Sequence, residues 1–315
     1  MNRAQANLVA GDLQAARLDL ISVINSDPQN REARLQLVRT YLLLEDGEAA
    51  WAQLQDLTGE DAGNAQITVL KAEAELYRGR PKNALDLLSG EQSADAHRIR
   101  SRAHAALSDF ELARAELEAG VQADPDDAAL LSDYALFLLA DGAVDEASEI
   151  ARKAAGIDPE AAGTRLALGR LALARETPAR ALEHFEVILA QRPDHAAAVI
   201  GKASALGDLG RMDALETFLG EKEGSLGADL RFTILQARLA ATKSDWQKVR
   251  TLLQNREREL RDQPEGAYIY AVALTELGNA ELANTYLMRL ESRFPGDPRT
   301  RQLRERLRTG TMEPG

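Results

Sequence analysis

Few side chains in this chain are equipped for chemistry. The four histidines are His97, His104, His184 and His195. His97 and His104 lie seven residues apart, which on a helix puts them on one face. Helical metal pairs are more often four apart, and no thiolate or carboxylate completes a ligand set, so no metal site is expected. The two rings read as packing between helices. There is no cysteine, which removes disulfides, thiolate nucleophiles and zinc–thiolate centres. Adjacent carboxylates such as Asp126 and Asp127 fall between helical stretches and read as caps, not as an acid–base pair. No G-x-x-x-x-G-K-[ST], G-x-S-x-G or G-x-G-x-x-G string occurs, so phosphate loops, nucleophile elbows and dinucleotide fingerprints are missing. Neither catalytic residues nor a cofactor is expected.

The elements that carry these residues are helical. Apolar residues make up 45% of the 315 positions and aromatics only 4%. Alanine and leucine dominate, and both lose little side-chain freedom in a helix. A small residue followed four later by an apolar one recurs along the chain. The nine pairs are Ala16/Leu20, Ala50/Leu54, Ala84/Leu88, Ala113/Leu117, Ala147/Ala151, Ala181/Phe185, Leu215/Leu219, Val249/Leu253 and Ala283/Leu287. Each step is 34 residues, except one of 29 between Ala84 and Ala113.

A period of 34 is that of the tetratricopeptide repeat, and the sequence resembles that family over nearly its whole length. The small residue at motif position 8 reads Ala4, Val38, Ala72, Ser101, Ala135, Gly169, Ala203, Ala237 and Ala271. It faces position 20, where two helices come closest and bulk would force them apart. Pro28, Pro125, Pro159, Pro193 and Pro295 hold position 32, where proline ends a helix. Asn30, Asn64, Ser93, Asp127 and Asp229 follow as N-caps. The resemblance implies an all-α, right-handed α-solenoid of tandem helix–turn–helix repeats. Nine motifs are expected over 1–296, the first incomplete and the third shortened around Ser89–Asp95. A capping helix is expected over 297–309 and a flexible tail over 310–315. Aromatics expected at positions 4 and 11 are mostly replaced by leucine and alanine, so the repeats are degenerate. The seventh motif lacks its proline at Glu221–Gly227. The arginine-rich final helix, with Leu303 and Leu307 on one face, reads as a cap or as a basic surface for an acidic partner. Met1 falls inside a first helix, so the natural protein is expected to begin earlier.

The resemblance also implies that positions 2, 5, 9 and 12 of each first helix face a concave groove. Positions 5, 9 and 12 share one helical face. Leu35, Val69, Leu166, Ile200, Ile234 and Tyr268 fill position 5, and Leu42, Leu76, Leu139 and Leu173 fill position 12. Position 9 carries Arg39, Arg102, Arg170 and Arg238 in the even repeats. These residues are the candidate partner-binding set. The apolar strip serves as a binding site, or else a tightly wound superhelix buries it. The arginines form a ladder for carboxylates, or else pair within their own helices. At position 15, Gly11, Gly79, Gly142, Gly210 and Gly278 occupy the odd repeats, whereas Glu45, Ser108, Glu176 and Ser244 occupy the even ones.

The function expected is a non-catalytic protein-interaction scaffold that holds a peptide or helix of a partner. The Lys and Asn set with which one branch of the family grips chaperone C-termini is absent. The net charge of −12 argues against nucleic acid. No small-molecule substrate and no membrane insertion by this chain are expected, since no window approaches about 20 apolar residues. The compartment, cytoplasmic or periplasmic, stays open. The strings from Gly11 and Asp27 also resemble bacterial envelope proteins of the exopolysaccharide-export and exosortase type. That leaves a second expectation, the repeat region of a larger enzyme or export machine.

Overall fold

A computed structural model of the chain describes residues 1–57, 64–261 and 263–310. Among these, every regular element is a helix. The helices come in pairs. The first members are α1 (Asn2–Val9), α3 (Arg31–Leu43), α5 (Ala65–Tyr77), α7 (Ala94–Ala106), α9 (Ala128–Ala140), α11 (Ala162–Ala174), α13 (Ala196–Asp208), α15 (Leu230–Thr242) and α18 (Pro264–Glu276). The second members are α2 (Leu13–Ser26), α4 (Gly47–Gln55), α6 (Pro81–Leu87), α8 (Phe110–Ala123), α10 (Val144–Ile157), α12 (Pro178–Gln191), α14 (Met212–Leu226), α16 (Trp246–Leu253) and α19 (Ala280–Arg293). Two more helices, α17 (Glu257–Leu260) and α20 (Pro298–Gly310), stand outside the pairs. No helix among the described residues is long and apolar enough to cross a membrane.

The pairs close at the small residues. Ala16, Ala50, Ala84, Ala113, Ala147, Ala181, Val249 and Ala283 are fully buried, as are Ala72, Ala135, Ala203, Ala237 and Ala271 on the facing helices. In repeat six the contact is graded by size. A Cβ on Gly169 would lie 2.6 Å from Phe185 Cε1, so the smallest residue at position 8 accommodates the largest at position 24. Asn30, Asn64, Ser93, Asp127 and Asp229 each accept a backbone N–H in the first turn of the helix that follows. These bonds satisfy donors that no helical carbonyl can reach.

The turn within each pair explains the alternation at position 15. All nine residues there have positive φ, from 54° at Glu176 to 83° at Gly142. The next residue's N–H returns to a carbonyl five residues back, as in Asp46 to Tyr41 (2.9 Å) and Ala143 to Leu138 (2.9 Å). This is a left-handed helix end. Glycine enters it without steric cost, whereas Glu45, Ser108, Glu176 and Ser244 do not.

Four second helices depart from the common 14 residues of α2 and α8, and α4 has 9. α6 has 7 residues, because repeat three lacks the residues for its last turns. α14 has 15 and runs through Glu221–Leu226, where no proline stops it. The second helix of repeat eight breaks after Leu253 and resumes as α17. The second helix of repeat eight is therefore split into two. At the break, Arg256 turns away to donate to the Ala228 carbonyl (3.0 Å), and Leu260 is drawn fully into the core.

The chain forms two compact units, Met1–Pro193 and Asp194–Gly315. In the first, successive first helices from α3 to α11 touch each other, while successive second helices make at most marginal contact. The first helices therefore line the inner side of the curve. The same holds for α13, α15 and α18 in the second unit. Within the first unit the end of α12 meets the turn of the first repeat, since a Cβ on Gly11 would lie 2.6 Å from the Gln191 carbonyl. In the second unit α20 buries Leu303 and Leu307 against the last repeat. Its Arg304 and Arg306 pair with Glu291 and Glu276. Residues 311–315 of the expected tail lie outside the described residues.

Candidate functional site

The expected apolar strip is not uniformly open. In the first unit Leu35 and Leu42 are about 5% and 6% exposed. They pack with Val38, Ala50 and Leu54 in one core cluster. Val69 is buried as well, with Leu76 packed beside it. In the second unit Ile200 and Ile234 are buried, and Tyr268 is half-buried. Five of the ten apolar candidates therefore belong to the cores of their own units. Neighbouring first helices approach closely enough to cover them. Leu139 on α9 and Leu166 and Leu173 on α11 are half-buried, as Leu76 and Tyr268 are, and α9 and α11 are direct neighbours.

The arginines divide in the same way. Arg39 and Arg170 are exposed. Arg102 is held: its guanidinium lies 3.4 Å from Glu73 on α5 and 5.2 Å from the Tyr77 ring centroid. Burial opposes its charge, but Tyr77, Asp133 and Glu73 together raise its pKa above the ordinary arginine range. Arg98, one turn earlier, stands 3.2 Å from Asp95, 3.7 Å from Asp133 on α9 and 3.9 Å from Glu73. Arg238 repeats the pattern in the second unit, 3.7 Å from Asp208 on α13 and 3.6 Å from Glu265 on α18. It fits there because position 207 is glycine, where a Cβ would come within 2.3 Å of Nη2. Arg102 and Arg238 are thus ion-paired across first helices, an arrangement neither the ladder nor within-helix pairing anticipated. Their partners went unnoticed in the sequence. One signal was legible: Glu73 occupies position 9 one repeat before Arg102, opposite in sign. Glu265 falls at position 2 of repeat nine, one of the positions expected to face the groove, whereas Asp208 at position 13 gave no signal.

The histidines serve structure. His97 Nδ1 lies 2.8 Å from Glu116, and His195 caps α13 by accepting from Ala198 N–H at 3.3 Å. Desolvation and the nearby Arg165 guanidinium lower the pKa of His184. Asp127 caps α9. Among the described residues no three metal-ligating side chains converge. What the arrangement offers is a polar and apolar surface on the first helices: half-buried leucines beside exposed arginine, able to hold apolar side chains and carboxylates.

Residues 8–74 match one family of tetratricopeptide repeats, and residues 100–162 and 166–214 match a second. A search of curated proteins returned no match. Among solved structures the chain is similar to PilW, described as a widely conserved type IV pilus biogenesis factor. That match has a TM-score of 0.52 and 19% identity, over 67% of this chain and 97% of that one. A tetratricopeptide repeat protein of Parabacteroides merdae matches with a TM-score of 0.49 and 13% identity, over 89% and 98%. A thermophilic repeat protein of Thermus thermophilus matches with 0.48 and 21%, over 56% and 98%. The matched family segments together span more than half of the sequence, and they coincide with the paired helices and buried small residues: the chain belongs to the tetratricopeptide repeat family, whose fold supports a protein-interaction scaffold.

Proposed function

We propose that the first unit binds a peptide or helix of another protein along α9 and α11. Leu139, Leu166 and Leu173 receive its apolar side chains, and Arg170 receives an acidic group. The observation that carries this reading is local. These leucines are only half-buried on adjacent inner helices around an exposed arginine, whereas Leu35 and Leu42 are sealed into a core. An apolar strip left open to water favours a partner that covers it. Arginine beside it supplies a charge-assisted contact and selects acidic ligands.

The test is capture of partners from lysate, followed by titration of the partner recovered. Arg170→Glu should weaken its binding about tenfold or more, through a lost contact and added repulsion, while the folding midpoint stays in place. Glu183 and Glu186 on α12 are exposed on the outer helix and provide the control. If Glu183→Arg abolishes capture while Arg170→Glu leaves it intact, the inner surface of these repeats is not the site.

A further inference from the structure

The break in repeat eight leaves a cavity of about 470 Å³ between α17 and α19. Leu260, Met288 and Phe294 supply its apolar walls. Met288 is 62% exposed, so the apolar lining reaches the surface. Tyr286 lies against Tyr270 edge to face, with centroids 5.2 Å apart and planes at 88°, which fixes the ring. Tyr286 is 2% exposed, and its hydroxyl has no hydrogen-bond partner. A buried hydroxyl left unpaired is costly, so a group able to accept from it is favoured there. Burial raises the pKa of this phenol, keeping its proton available for donation.

Charge at the same cavity is biased. Arg261, Arg289 and Arg293 line it, against one carboxylate among the described residues, Glu257. This is a local excess of cations in a chain of net charge −12. The Arg289 guanidinium sits 5.3 Å from the centroid of Tyr286, so one cation is held directly over the aromatic wall. An apolar cavity with an unpaired hydroxyl and a basic rim suits an apolar side chain flanked by carboxylates.

We propose that this cavity binds a short acidic peptide segment with an aromatic or large apolar residue at its centre. The apolar side chain inserts against Met288 and Phe294. A carbonyl or carboxylate oxygen of the segment accepts from the Tyr286 hydroxyl, and flanking acids face Arg261 and Arg289. The site is separate from the inner helices of the first unit and does not depend on the function proposed for them.

The experiment is fluorescence anisotropy of the full chain with a fluorescein-labelled octapeptide, Asp-Glu-Asp-Phe-Glu-Asp-Glu-Asp. Saturable binding is expected. It should weaken about tenfold or more in Arg261→Glu/Arg289→Glu, and several-fold in Tyr286→Phe and in Arg261→Gln, two conservative changes that keep the fold. The same peptide with serine in place of phenylalanine should bind at least about tenfold more weakly. Lys82→Glu, at an exposed lysine on α6, should bind as the wild type does. No binding to the wild-type chain overturns the proposal, and so does unchanged affinity in Tyr286→Phe and Arg261→Gln together. If phenylacetate competes as well as the peptide does, the site takes small carboxylates and the peptide assignment fails. A dimer in sedimentation that is lost in the double variant would give the cavity to a second copy and equally overturn it.

Discussion

Repeats three and eight both fall short in their second helix, and the two gaps end differently. In repeat three the helix stops at Leu87, and an arginine from the next repeat fills the space. Arg100 is 8% exposed. It donates to the Leu88 carbonyl at 3.0 Å, the Glu91 carbonyl at 2.6 Å and Glu116 at 2.8 Å. Carbonyls freed by the lost turns thus find donors, and the buried charge finds a carboxylate. In repeat eight the residues are all present, but the helix breaks. Its arginine, Arg256, caps the loop behind it at Ala228 and leaves the space beside α19 open. A missing turn therefore becomes core where one side chain can satisfy every polar group it exposes, and becomes a cavity where the available side chain is committed elsewhere.

Removing the two arginines separates these cases most sharply. Arg100→Met should cost about 3–5 kcal/mol, because it leaves the Leu88 and Glu91 carbonyls without their donor and Glu116 with only His97. Arg256→Met should cost only about 1 kcal/mol, since the bonds it loses are near the surface. Urea unfolding of both variants checks this, and equal losses would erase the distinction between a filled gap and an open one.

Overpacking tests whether the pairs around the two gaps are otherwise alike. Ala147→Phe in the first unit and Ala271→Phe in the second place a ring where helices meet with no exposed surface. Each should destabilise its unit by about 1–3 kcal/mol. Guanidinium midpoints that do not move would show that the assigned close-approach positions are wrong.

The smallest effect concerns the turns that follow or feed the two gaps. Ser108 and Ser244 hold φ of 66° and 57°, so Ser108→Gly and Ser244→Gly should each stabilise by about 0.5–1 kcal/mol. Similar rises in melting temperature would mean that turn strain does not set repeat eight apart. A rise at Ser244 alone would tie the break in its second helix to the turn that starts it.

The alternation at position 15 shows how far the sequence could be read. Glycine against glutamate or serine was visible as a pattern, but its meaning lay in a backbone angle shared by all nine turns. Arg100 was unremarkable in the sequence, because the gap it fills lies in the preceding repeat and the atoms it meets are backbone carbonyls. The break after Leu253 was also hidden. Its spacing keeps the 34-residue period, so no register shift marked it.

The sequence by itself determined the helix pairs, their register, the close-approach alanines and the caps. All of these follow from contacts within one repeat, which its own periodicity encodes. Tertiary structure alone decided which leucines stay open to solvent, which acids hold Arg102 and Arg238, and which gap became a cavity. Those outcomes depend on how closely successive helices approach and on which side chains of adjacent repeats meet there. The period of a repeat fixes the order of its residues along the chain but not the distance between neighbouring copies.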